Sequence, residues 1–529
     1  MRREFLIISI ALLAVIVVVG IFYPPMFWSL VVVGPLLALG VYDYTQSRHS
    51  ILRNFPVIGH IRYLLEMIRP EIYQYFVESD TAGVPFDRAQ RSIVYQRAKA
   101  EPDTVPFGTL EDVYRVGYEW VNHSLAPVHV EPDTMRITIG GPDCKEPYSA
   151  SLLNVSAMSY GSLSGNAILA LNSGAKIGNF AHNTGEGGVS PYHLAGGGDV
   201  VWQIGTGYFG CRTDDGLFCP DTYAEQVAHP HIKMVELKLS QGAKPGHGGI
   251  LPAAKLTPEI AEIRKVPMGR DVLSPPGHSA FSTPIELLEF IAKLRELSGA
   301  KPVGFKLCVG KRREFLAVCK AMVETGITPD FITVDGGEGG TGAAPLEFTN
   351  SIGAPLIDGL IFVHNALVGL GVRRHIRVIS SGKITSGFGM VKRLAVGADL
   401  CNAARAMMMA VGCIQALKCN TNHCPVGVAT QDERLMQGLV VADKKQRVAN
   451  YHHATIESLS EMIGAMGISH PQRLRRWHIM RRISPIETKH YGEIFDYLTP
   501  GSLLKEPLPA SYERACRAAS AATFSHVGD

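Results

Sequence analysis

The chain has 529 residues, enough for about two to four average domains or for one large barrel with additions. Its formal net charge of +3 is small for this length, which argues against general electrostatic binding of nucleic acid. The ten cysteines lack the close spacing of a small disulfide-bonded scaffold, which favours reduced thiols and a cytoplasmic face. Most of the 54 glycines fall in short clusters between apolar runs, a pattern typical of ligand-binding loops.

Residues 1–45 are predicted to form a transmembrane helical hairpin. An uncharged apolar run at 5–23 has about the 20 residues needed to cross a bilayer, and a second, shorter run covers 26–41. Two prolines separate the runs, and arginines lie before the first and after the second. The positive-inside rule then predicts two membrane spans, with both ends and the catalytic part on the cytoplasmic side. A signal peptide is the competing interpretation.

Residues 46–130 are predicted to be an N-terminal extension that packs on a catalytic barrel. Apolar residues at helical spacing predict a helix over 61–75. The basic stretch 88–99 is predicted to be an exposed helix or connection.

Residues 131–432 are predicted to form a (β/α)8 barrel, which places the protein in the α/β class. Short apolar or β-branched runs end in glycine-rich or polar loops, and helix-like segments follow them. Eight such units close a barrel of this type, in which ligands bind at the carboxyl ends of the strands. The eight predicted strands are 152–158, 179–183, 201–204, 234–239, 302–307, 331–334, 377–379 and 399–402.

Three loops after predicted strands have residues suited to phosphate. The loop 335–342 reads Asp-Gly-Gly-Glu-Gly-Gly-Thr-Gly and can turn its backbone amides toward an anion. The loops 380–383 and 402–405 follow the seventh and eighth strands, where barrels commonly bind phosphate, so they predict an FMN phosphate site. The predicted contacts are Asp335, Gly336, Gly337, Gly340, Thr341, Gly342, Ser381, Gly382, Lys383, Ala404 and Arg405.

Three cysteines in one short loop are the candidate metal ligands. Cys413, Cys419 and Cys424 have the spacing C-x5-C-x4-C, and a proline follows the last. Thiolates select zinc, copper(I) or iron–sulfur clusters, and this compact loop favours a three-iron cluster or a four-iron cluster lacking one ligand. A zinc site completed by His423 and a set of buried thiols are the alternatives.

Residues 433–529 are predicted to be a helical C-terminal extension. Its distinctive run, 470–482, carries several basic residues and Trp477. This run predicts a contact with anionic lipid, a docking surface for an acidic electron carrier, or a solvated helix face.

Several motifs together resemble the FMN-binding synthase domain of glutamate synthase. The similarity runs from about residue 150 to 432, and in particular this chain looks like the stand-alone members of that family, which lack the glutaminase. The motifs are Ser-Ala-Met-Ser-Tyr-Gly at 156–161, Asn-Thr-Gly-Glu-Gly-Gly at 183–188, Gln-Gly-Ala-Lys-Pro-Gly at 241–246, Gly-Thr-Gly-Ala-Ala-Pro at 340–345 and Cys-Pro-Val-Gly-Val-Ala-Thr-Gln at 424–431.

The resemblance implies roles for individual residues. The three cysteines match the ligands of a 3Fe-4S cluster, and Lys306 matches a lysine beside the flavin, where a cation would stabilise the reduced anion. Lys244 and Arg264 match positions that hold the carboxylates of 2-oxoglutarate. Glu186 matches the acid of the ammonia and imine region. The residues that match the lining of the flavin ring are Ser156, Ala157, Met158, Ser159 and Gln203.

The chain departs from the family pattern near the predicted substrate site. His247 replaces an acid, Ile250 replaces a glutamine that contacts the oxo acid, and Ala253 replaces a glycine. Tyr208 stands where the family has arginine, and the run 274–279 brings an extra histidine. These changes leave the cofactor sites intact but alter the substrate site, and they make His247 a second candidate, beside Glu186, for moving protons.

The resulting prediction is a membrane-anchored oxidoreductase with FMN and a 3Fe-4S cluster. It would reduce 2-iminoglutarate, formed from 2-oxoglutarate and ammonia, or a related imino or oxo acid, to the amino acid. Ammonia would be free or come from another protein, and electrons from a ferredoxin or a reductase subunit, in a chain that could form a homo-oligomer. The alternatives are an FMN barrel acting on another small acid and a cofactor-binding scaffold without turnover.

Overall fold

The structure is a computed structural model that describes residues 2–525. The chain divides into two compact units between residues 88 and 89. The first unit is helical, and the second contains a barrel with its extensions. The predicted domain limits at 45, 130 and 432 stay predictions.

Two helices of the first unit are long and apolar enough, by length and composition, to cross a membrane. They cover Arg2–Phe22, with mean hydropathy 3.3, and Pro24–Thr45, with mean hydropathy 1.8. Most of their apolar side chains are exposed, with Phe22 at 85% and Trp28 at 78%. Exposed apolar surfaces of this extent mark contacts with a membrane or with another protein. A signal sequence near an N-terminus has the same properties.

The two apolar helices pack against each other through a glycine. A Cβ at Gly40 would overlap the ring of Phe5, so glycine lets the helices approach closely. A buried carboxylate, Asp43, accepts hydrogen bonds from the Val57 N–H at 2.9 Å and lies 3.0 Å from His60 Nε2. The helical segments of this unit are Arg2–Phe22, Pro24–Ser29, Leu30–Thr45, Ser50–Asn54, Gly59–Ile72 and Tyr73–Val77.

The second unit contains a closed barrel of eight parallel strands, which confirms the predicted (β/α)8 fold. Every predicted strand overlaps an observed one. Strand β8 pairs with β1 through Asn402 and Asn154, which closes the barrel. The strands lie between the barrel interior and the outer helices, so their residues are almost all buried. The strands are β1 (Leu153–Val155), β2 (His182–Asn183), β3 (Val200–Ile204), β4 (Ile232–Lys238), β5 (Val303–Cys308), β6 (Phe331–Asp335), β7 (Arg377–Ser381) and β8 (Leu400–Ala403).

A helix follows each barrel strand, and local sequence fixes where several of these helices begin. Ser164 accepts a hydrogen bond from the Ala167 N–H, and Thr283 and Glu286 form a reciprocal capping box. The helices are Gly165–Gly178, Pro191–Ala195, Pro220–Val227, Pro284–Leu297, Arg312–Thr325, Leu356–Gly369, Gly387–Ala395 and Arg405–Val411.

The connection after β4 makes a long excursion before its helix. It contains a two-stranded hairpin, a 3-10 turn and a short helix. This excursion belongs to the carboxyl end of the barrel because it leaves the end of β4. Its elements are Ile250–Leu251, Ala253–Lys255, Pro258–Arg264 and Val272–Leu273.

The C-terminal extension contains helices, as predicted, and also supplies strands. The helix Val441–Ala465 packs on Gly165–Gly178, where Gly174 makes room for Val448. The strands Glu119–Val121, Ile479–Arg482 and Thr488–His490 form an antiparallel sheet. The other elements are Arg88–Ala98, Pro132–Thr134, Arg136–Ile139, Tyr148–Ser151, Leu346–Ser351, Arg373–His375, Glu433–Met436, Pro471–Arg473, Arg476–His478, Tyr491–Ile494 and Ala510–Ala518.

The solvated helix face predicted for one basic segment is wrong, and of the exposed helix predicted for another only the helix is confirmed. The run 470–482 is not a helix face, because it forms two 3-10 turns and a strand that pairs with Glu119–Val121. The predicted helix near 88–99 exists, but it is not a simple exposed face. Arg91 and Arg97 are 5% and 6% exposed, and Arg97 Nε lies 2.8 Å from Asp103 Oδ2.

Candidate active site

A buried hydrogen-bond network lies inside the barrel beneath the candidate site. Glu236 on β4 accepts hydrogen bonds from Asn183 Nδ2 at 2.8 Å, Gln203 Nε2 at 2.6 Å and Thr333 Oγ1 at 2.6 Å. These groups lie on β2, β3, β4 and β6 and point into the barrel, where each satisfies a polar atom that would otherwise be buried without a partner. Gln203, predicted to line the flavin ring, is thereby held in one position by Glu236.

Lys306 lies on β5 in an ion pair with the last residue of β6. Its Nζ is 3.1 Å from Asp335 Oδ2, and both side chains are buried. Burial by itself lowers the pKa of Lys306, but the Asp335 and Glu236 carboxylates outweigh it and raise that pKa. Lys306 is therefore a fixed cation at the carboxyl end of the barrel.

The three loops predicted to hold phosphate meet at the carboxyl ends of β6, β7 and β8. The Gly336 N–H donates to the Ser381 carbonyl at 3.2 Å, and Arg405 Nη2 donates to the Glu338 carbonyl at 2.7 Å. Gly382 has a φ of 150°, and its N–H makes no hydrogen bond within residues 2–525. These loops thus combine a guanidinium with an available amide donor. Gly340, Thr341 and Gly342 form the exposed part of the first loop, and Lys383 and Ala404 follow β7 and β8.

The loop after β1 lies beside these groups. Ser156 Oγ is 3.1 Å from Ser381 Oγ. The loop after β2 packs closely on it, because a Cβ at Gly185 would lie 2.7 Å from the Ser159 nitrogen. The structure therefore brings the predicted flavin-lining residues and the predicted phosphate loops to one end of the barrel. The remaining members of the β1 loop are Ala157, which is partly buried, and Met158, which is 7% exposed.

Four charged side chains come together next to these loops. Glu186 Oε1 is 2.9 Å from Lys238 Nζ, and the Glu186 carboxylate also interacts with Lys244 and Arg264. Burial raises the pKa of Glu186, but the three cations outweigh it and lower that pKa. Glycines leave room for this carboxylate, because a Cβ at Gly249 would lie 2.8 Å from Glu186 Oε1.

The two predicted substrate cations are deeply buried. Lys244 is 2% exposed and donates from Nζ to the Gly248 carbonyl at 2.8 Å, while Arg264 is 4% exposed. Burial lowers the pKa of Lys244 and lowers the pKa of Arg264 to about 10, and in both cases Glu186 opposes the effect. Arg264 Nη2 donates to the Tyr160 carbonyl, but its Nε is buried without a partner within residues 2–525. Such an atom is costly unless a ligand reaches it.

Sequence reasoning missed Lys238, the cation nearest to Glu186. It is the last residue of β4 and is 8% exposed. A signal was present, since Lys238 is the next-to-last residue of the predicted strand 234–239, at the end of the barrel where ligands bind. Three cations face one carboxylate in this group, so it has a surplus of two positive charges.

His247 lies in a different environment from the other predicted catalytic residues. Its Nδ1 is 3.1 Å from the Gly248 carbonyl, and its ring packs edge-on against Phe348 at 5.2 Å. Within the described part of the chain, no hydrogen bond or ring contact joins His247 to Glu186. Ile250 pairs with Leu273 in the hairpin that follows. The proton-transfer role of His247 stays a prediction.

Two departures from the family pattern are in contact with each other. Tyr208 Oη is 3.0 Å from His278 Nδ1, and His278 Nε2 is 2.9 Å from the Lys238 carbonyl. The Ala280 N–H donates to Tyr208 Oη, so the Tyr208 hydroxyl donates to Nδ1 and the His278 Nε2–H donates to the carbonyl. Burial lowers the pKa of His278 to about 4, so the imidazole is neutral near pH 7. The sequence indicated both changes, but not their pairing.

The three candidate metal ligands lie in the loop after the last barrel helix. Cys424 is buried, and Cys413 and Cys419 are partly buried. Burial raises the pKa of the Cys413 and Cys419 thiols, and the neighbouring cysteines of the loop add to this effect. No three His, Cys, Asp or Glu side chains within residues 2–525 are arranged to hold a metal ion. His423 is exposed and belongs to no such group, so the structure does not support a zinc site formed by the three cysteines and His423.

A buried lysine contacts the cysteine loop. Lys255 Nζ donates to the Ala429 carbonyl at 2.9 Å and to the Ser162 carbonyl at 3.1 Å. Burial lowers the pKa of Lys255, and the nearby Cys419 and Cys424 oppose this effect. The phosphate loop is also close, because a Cβ at Gly342 would lie 3.1 Å from Cys419 Cβ. A soft donor set with a nearby cation fits the chemistry of an anionic iron–sulfur cluster.

Comparison with known proteins agrees with the resemblance in the motifs. Residues 128–469 match the family described as the conserved region in glutamate synthase. The glutamate synthase large subunit-like protein YerD of Bacillus subtilis is 39% identical over 483 residues, which cover 84% of this chain and 91% of that protein. The archaeal-type glutamate synthase [NADPH] of Thermotoga neapolitana is 35% identical over 321 residues. That match covers 60% of each chain, so this chain spans less than two thirds of that relative.

Similarity to solved structures is remote. A flavocytochrome b2 covers 86% of this chain at 10% identity with a TM-score of 0.42, too low to support any inference. The barrel rests on its own strand pairing, and the family rests on the sequence matches. The chain therefore belongs to the glutamate synthase family, as a glutamate synthase-like oxidoreductase built around the synthase domain.

Proposed function

We propose that this protein binds FMN and a 3Fe-4S cluster and reduces the imine of a 2-oxo dicarboxylic acid to the amino acid. The substrate class rests on one observation, the surplus of two positive charges around Glu186. A dicarboxylate carries the two negative charges that this buried group lacks. 2-Oxoglutarate, with ammonia as the nitrogen source, is the first acid to test.

Lys244 and Arg264 bind the carboxylates in this proposal. Arg264 has an unpartnered buried Nε, which a carboxylate oxygen would satisfy. In the part of the chain that the structure describes, Lys244 Nζ donates to one group, the Gly248 carbonyl of its own loop, and it has further N–H donors. Because both cations are held in place before substrate arrives, little reorganisation is needed on binding.

Glu186 moves protons during imine formation. Its lowered pKa keeps it a carboxylate near pH 7, so it accepts the proton that ammonium loses when it becomes the nucleophile ammonia. Ammonia then adds to the oxo carbon, and the oxo oxygen leaves as water with two of the protons of ammonia. Lys238 holds that carboxylate in place. Reduction of the imine then requires one hydride and one proton, and the proton on Glu186 is available for the product nitrogen.

FMN fits the carboxyl end of the barrel. The Gly382 N–H and the Arg405 guanidinium belong to the loops that would hold its phosphate, and Lys306 would lie beside the ring system. When bound, FMN would supply the hydride and the cluster would supply single electrons. The fixed cation of Lys306 favours the reduced, negatively charged ring.

Cys413, Cys419 and Cys424 would hold the cluster. Lys255 is a buried cation against their loop and would offset its negative charge. A Cys424→Ser variant should lose the cluster's electron paramagnetic resonance signal, while Cys319→Ser, which changes a buried cysteine on the helix Arg312–Thr325, should keep it. Equal signals in the two variants would contradict this assignment.

The first unit anchors the protein in a membrane in this proposal. Its two apolar helices are long enough to cross a bilayer and expose most of their apolar side chains. Positively charged residues before and after these helices support a cytoplasmic position of the barrel, where a ferredoxin or a reductase subunit would supply electrons. Extraction of the full-length protein from membranes by detergent, but not by high salt or alkali, tests the anchor.

The catalytic test uses full-length protein purified anaerobically in detergent. Visible and electron paramagnetic resonance spectra report FMN and the cluster, and the reduced protein is then mixed with 2-oxoglutarate and ammonium. Flavin reoxidation with formation of glutamate supports the proposal. Oxaloacetate with ammonium tests whether Ile250 has changed the preferred length of the dicarboxylate. If both cofactors are present but neither acid causes reoxidation, the proposed reaction is wrong.

A further inference from the structure

A cavity lies at the amino end of the barrel, opposite the candidate active site. Its volume is about 340 Å³, and its wall includes Asp399, just before β8, and Arg373, just before β7. Small-molecule sites span about 300–1,000 Å³, so the cavity is large enough for a small ligand. Catalysis in (β/α)8 barrels takes place at the other end, and a ligand here would not be the substrate.

The basic run of the C-terminal extension supplies positive charge to this cavity. Arg373 is paired with Asp399 at 2.8 Å, but no ion pair within residues 2–525 joins Arg475 or Arg476 to a carboxylate. Among the described residues, the Arg475 guanidinium donates to two backbone carbonyls of its own turn and to no other group. Two guanidinium groups therefore remain available to an anion. His364 adds no charge, because burial and the neighbouring arginines lower its pKa to about 3.

Aromatic side chains lie next to these arginines. The Arg476 guanidinium carbon is 3.9 Å from the centroid of the Tyr497 ring, which fixes the position of the charge. The Tyr497 hydroxyl is buried and has no hydrogen-bond partner within the described residues, a cost that a ligand atom could remove. Trp477 also lines the cavity and is 50% exposed, so part of its indole ring is accessible to a ligand.

We propose that this cavity binds a small phosphate-bearing molecule with a flat aromatic ring, of the size of a nucleoside monophosphate. Arg475 and Arg476 bind the phosphate, because planar guanidinium groups match its oxygens in pairs. The ring lies against Trp477, since aromatic faces stack with heteroaromatic rings, and a polar atom of the ligand reaches the Tyr497 hydroxyl. The proposed reaction uses none of these residues, so this binding site does not depend on the proposed function.

The test is calorimetric titration of the full-length, FMN-loaded protein with adenosine monophosphate. We expect one saturable site per chain. Adenosine and inorganic phosphate should each bind at least roughly tenfold more weakly, because each lacks one of the two parts that the cavity recognises. Equal affinity for adenosine and its monophosphate, or no binding of the monophosphate, would overturn the proposal.

Matched variants show whether binding takes place in this cavity. Arg476→Gln should weaken binding of the monophosphate by about tenfold or more, the loss of one charge-assisted contact, and Arg475→Gln provides a second variant in case the first does not fold. Arg473→Gln is the control, because Arg473 is exposed and lies in the same run but outside the cavity wall. Equal losses in the Arg476 and Arg473 variants would place the ligand elsewhere.

Discussion

The two ends of the barrel both carry surplus positive charge, but in different ways. At the carboxyl end, Lys244 and Arg264 are 2% and 4% exposed and share the Glu186 carboxylate. At the amino end, Arg475 is exposed, Arg476 is partly exposed, and both are without a carboxylate partner in the described chain. Burying a charge without a counter-ion is costly, so the buried group keeps one and the open group relies on water. The carboxyl end is therefore organised before its ligand arrives.

Removing the counter-ion at the carboxyl end should have the largest effect. Glu186→Gln leaves three cations without a carboxylate and removes the proton acceptor. We expect the rate of flavin reoxidation by 2-oxoglutarate and ammonium to fall by about a hundredfold or more. Binding of the dicarboxylate should not weaken, because the positive surplus increases. Glu262→Gln, at an exposed position of the helix Pro258–Arg264, should leave the rate unchanged.

The next prediction concerns the support of the amino-end segment. Glu119 Oε2 lies 2.7 Å from Lys392 Nζ, and the strand that contains Glu119 pairs with Ile479–Arg482, directly after the cavity-lining run. Burial raises the pKa of Glu119, but Lys392 and its other partners outweigh it and lower that pKa. Glu119→Gln should destabilise the protein by about 2 kcal/mol near pH 7, because it leaves a partly buried ammonium unpaired.

The pH dependence gives the sign of this effect. The stability that Glu119 contributes is present above its unfolded pKa, near 4.5, and is lost as the pH falls through its lower folded value. The difference in thermal midpoint between wild type and Glu119→Gln should therefore shrink on acidification to pH 4. Glu487→Gln removes an exposed pair with Lys489 and should change the midpoint little at either pH. A constant difference at all pH values would contradict the assignment.

Changing Lys238 should shift the pKa of Glu186 while leaving Lys244 and Arg264 in place at the carboxyl end. Lys238→Met removes the strongest cation acting on Glu186, so the pKa of Glu186 should rise. The acid limb of the pH–rate profile should then move to higher pH by about one unit. Lys293→Met changes an exposed lysine and should leave the limb in place. An unmoved limb in Lys238→Met would mean that Glu186 is not the group that titrates.

The smallest expected effect concerns the paired departures, Tyr208 and His278. Tyr208→Phe removes the hydroxyl that donates to His278 Nδ1 and leaves that nitrogen without its partner. We expect a loss of about 1 kcal/mol in kcat/KM for the dicarboxylate, roughly fivefold. Tyr223→Phe removes a buried hydroxyl bonded to the Leu294 carbonyl and serves as the control. Identical kinetics in the two variants would mean that the Tyr208–His278 pair does not influence the substrate site.

The barrel was predictable because its signal is local. Parallel strands with both faces covered read as short apolar runs, and all eight runs were found. The basic run 470–482 was misassigned because it becomes a strand only through pairing with Glu119–Val121, more than 300 residues earlier. Strand propensity depends on such partners, and a single segment does not reveal them.

The candidate site shows the same division. Glycine-rich motifs indicated Glu186 and Lys244 in loops at the ends of strands, and the structure brings both beside Arg264. Lys238 was overlooked because the motifs drew attention to loops, whereas it ends a strand. For Tyr208, the sequence shows a difference from the family pattern, and only the structure shows its hydrogen bond with His278.

The sequence by itself determined the barrel, the family and the chemical types at the carboxyl end, because hydrophobic period and glycine placement act over short stretches. The tertiary structure decided which charges share a counter-ion and which do not. Glu186 meets Lys238 only because β2 and β4 end at the same side of a closed barrel. Arg475 and Arg476 reach the amino-end cavity only because the C-terminal segment folds back there. Electrostatic pairing depends on distance in space, and closure of the barrel sets that distance.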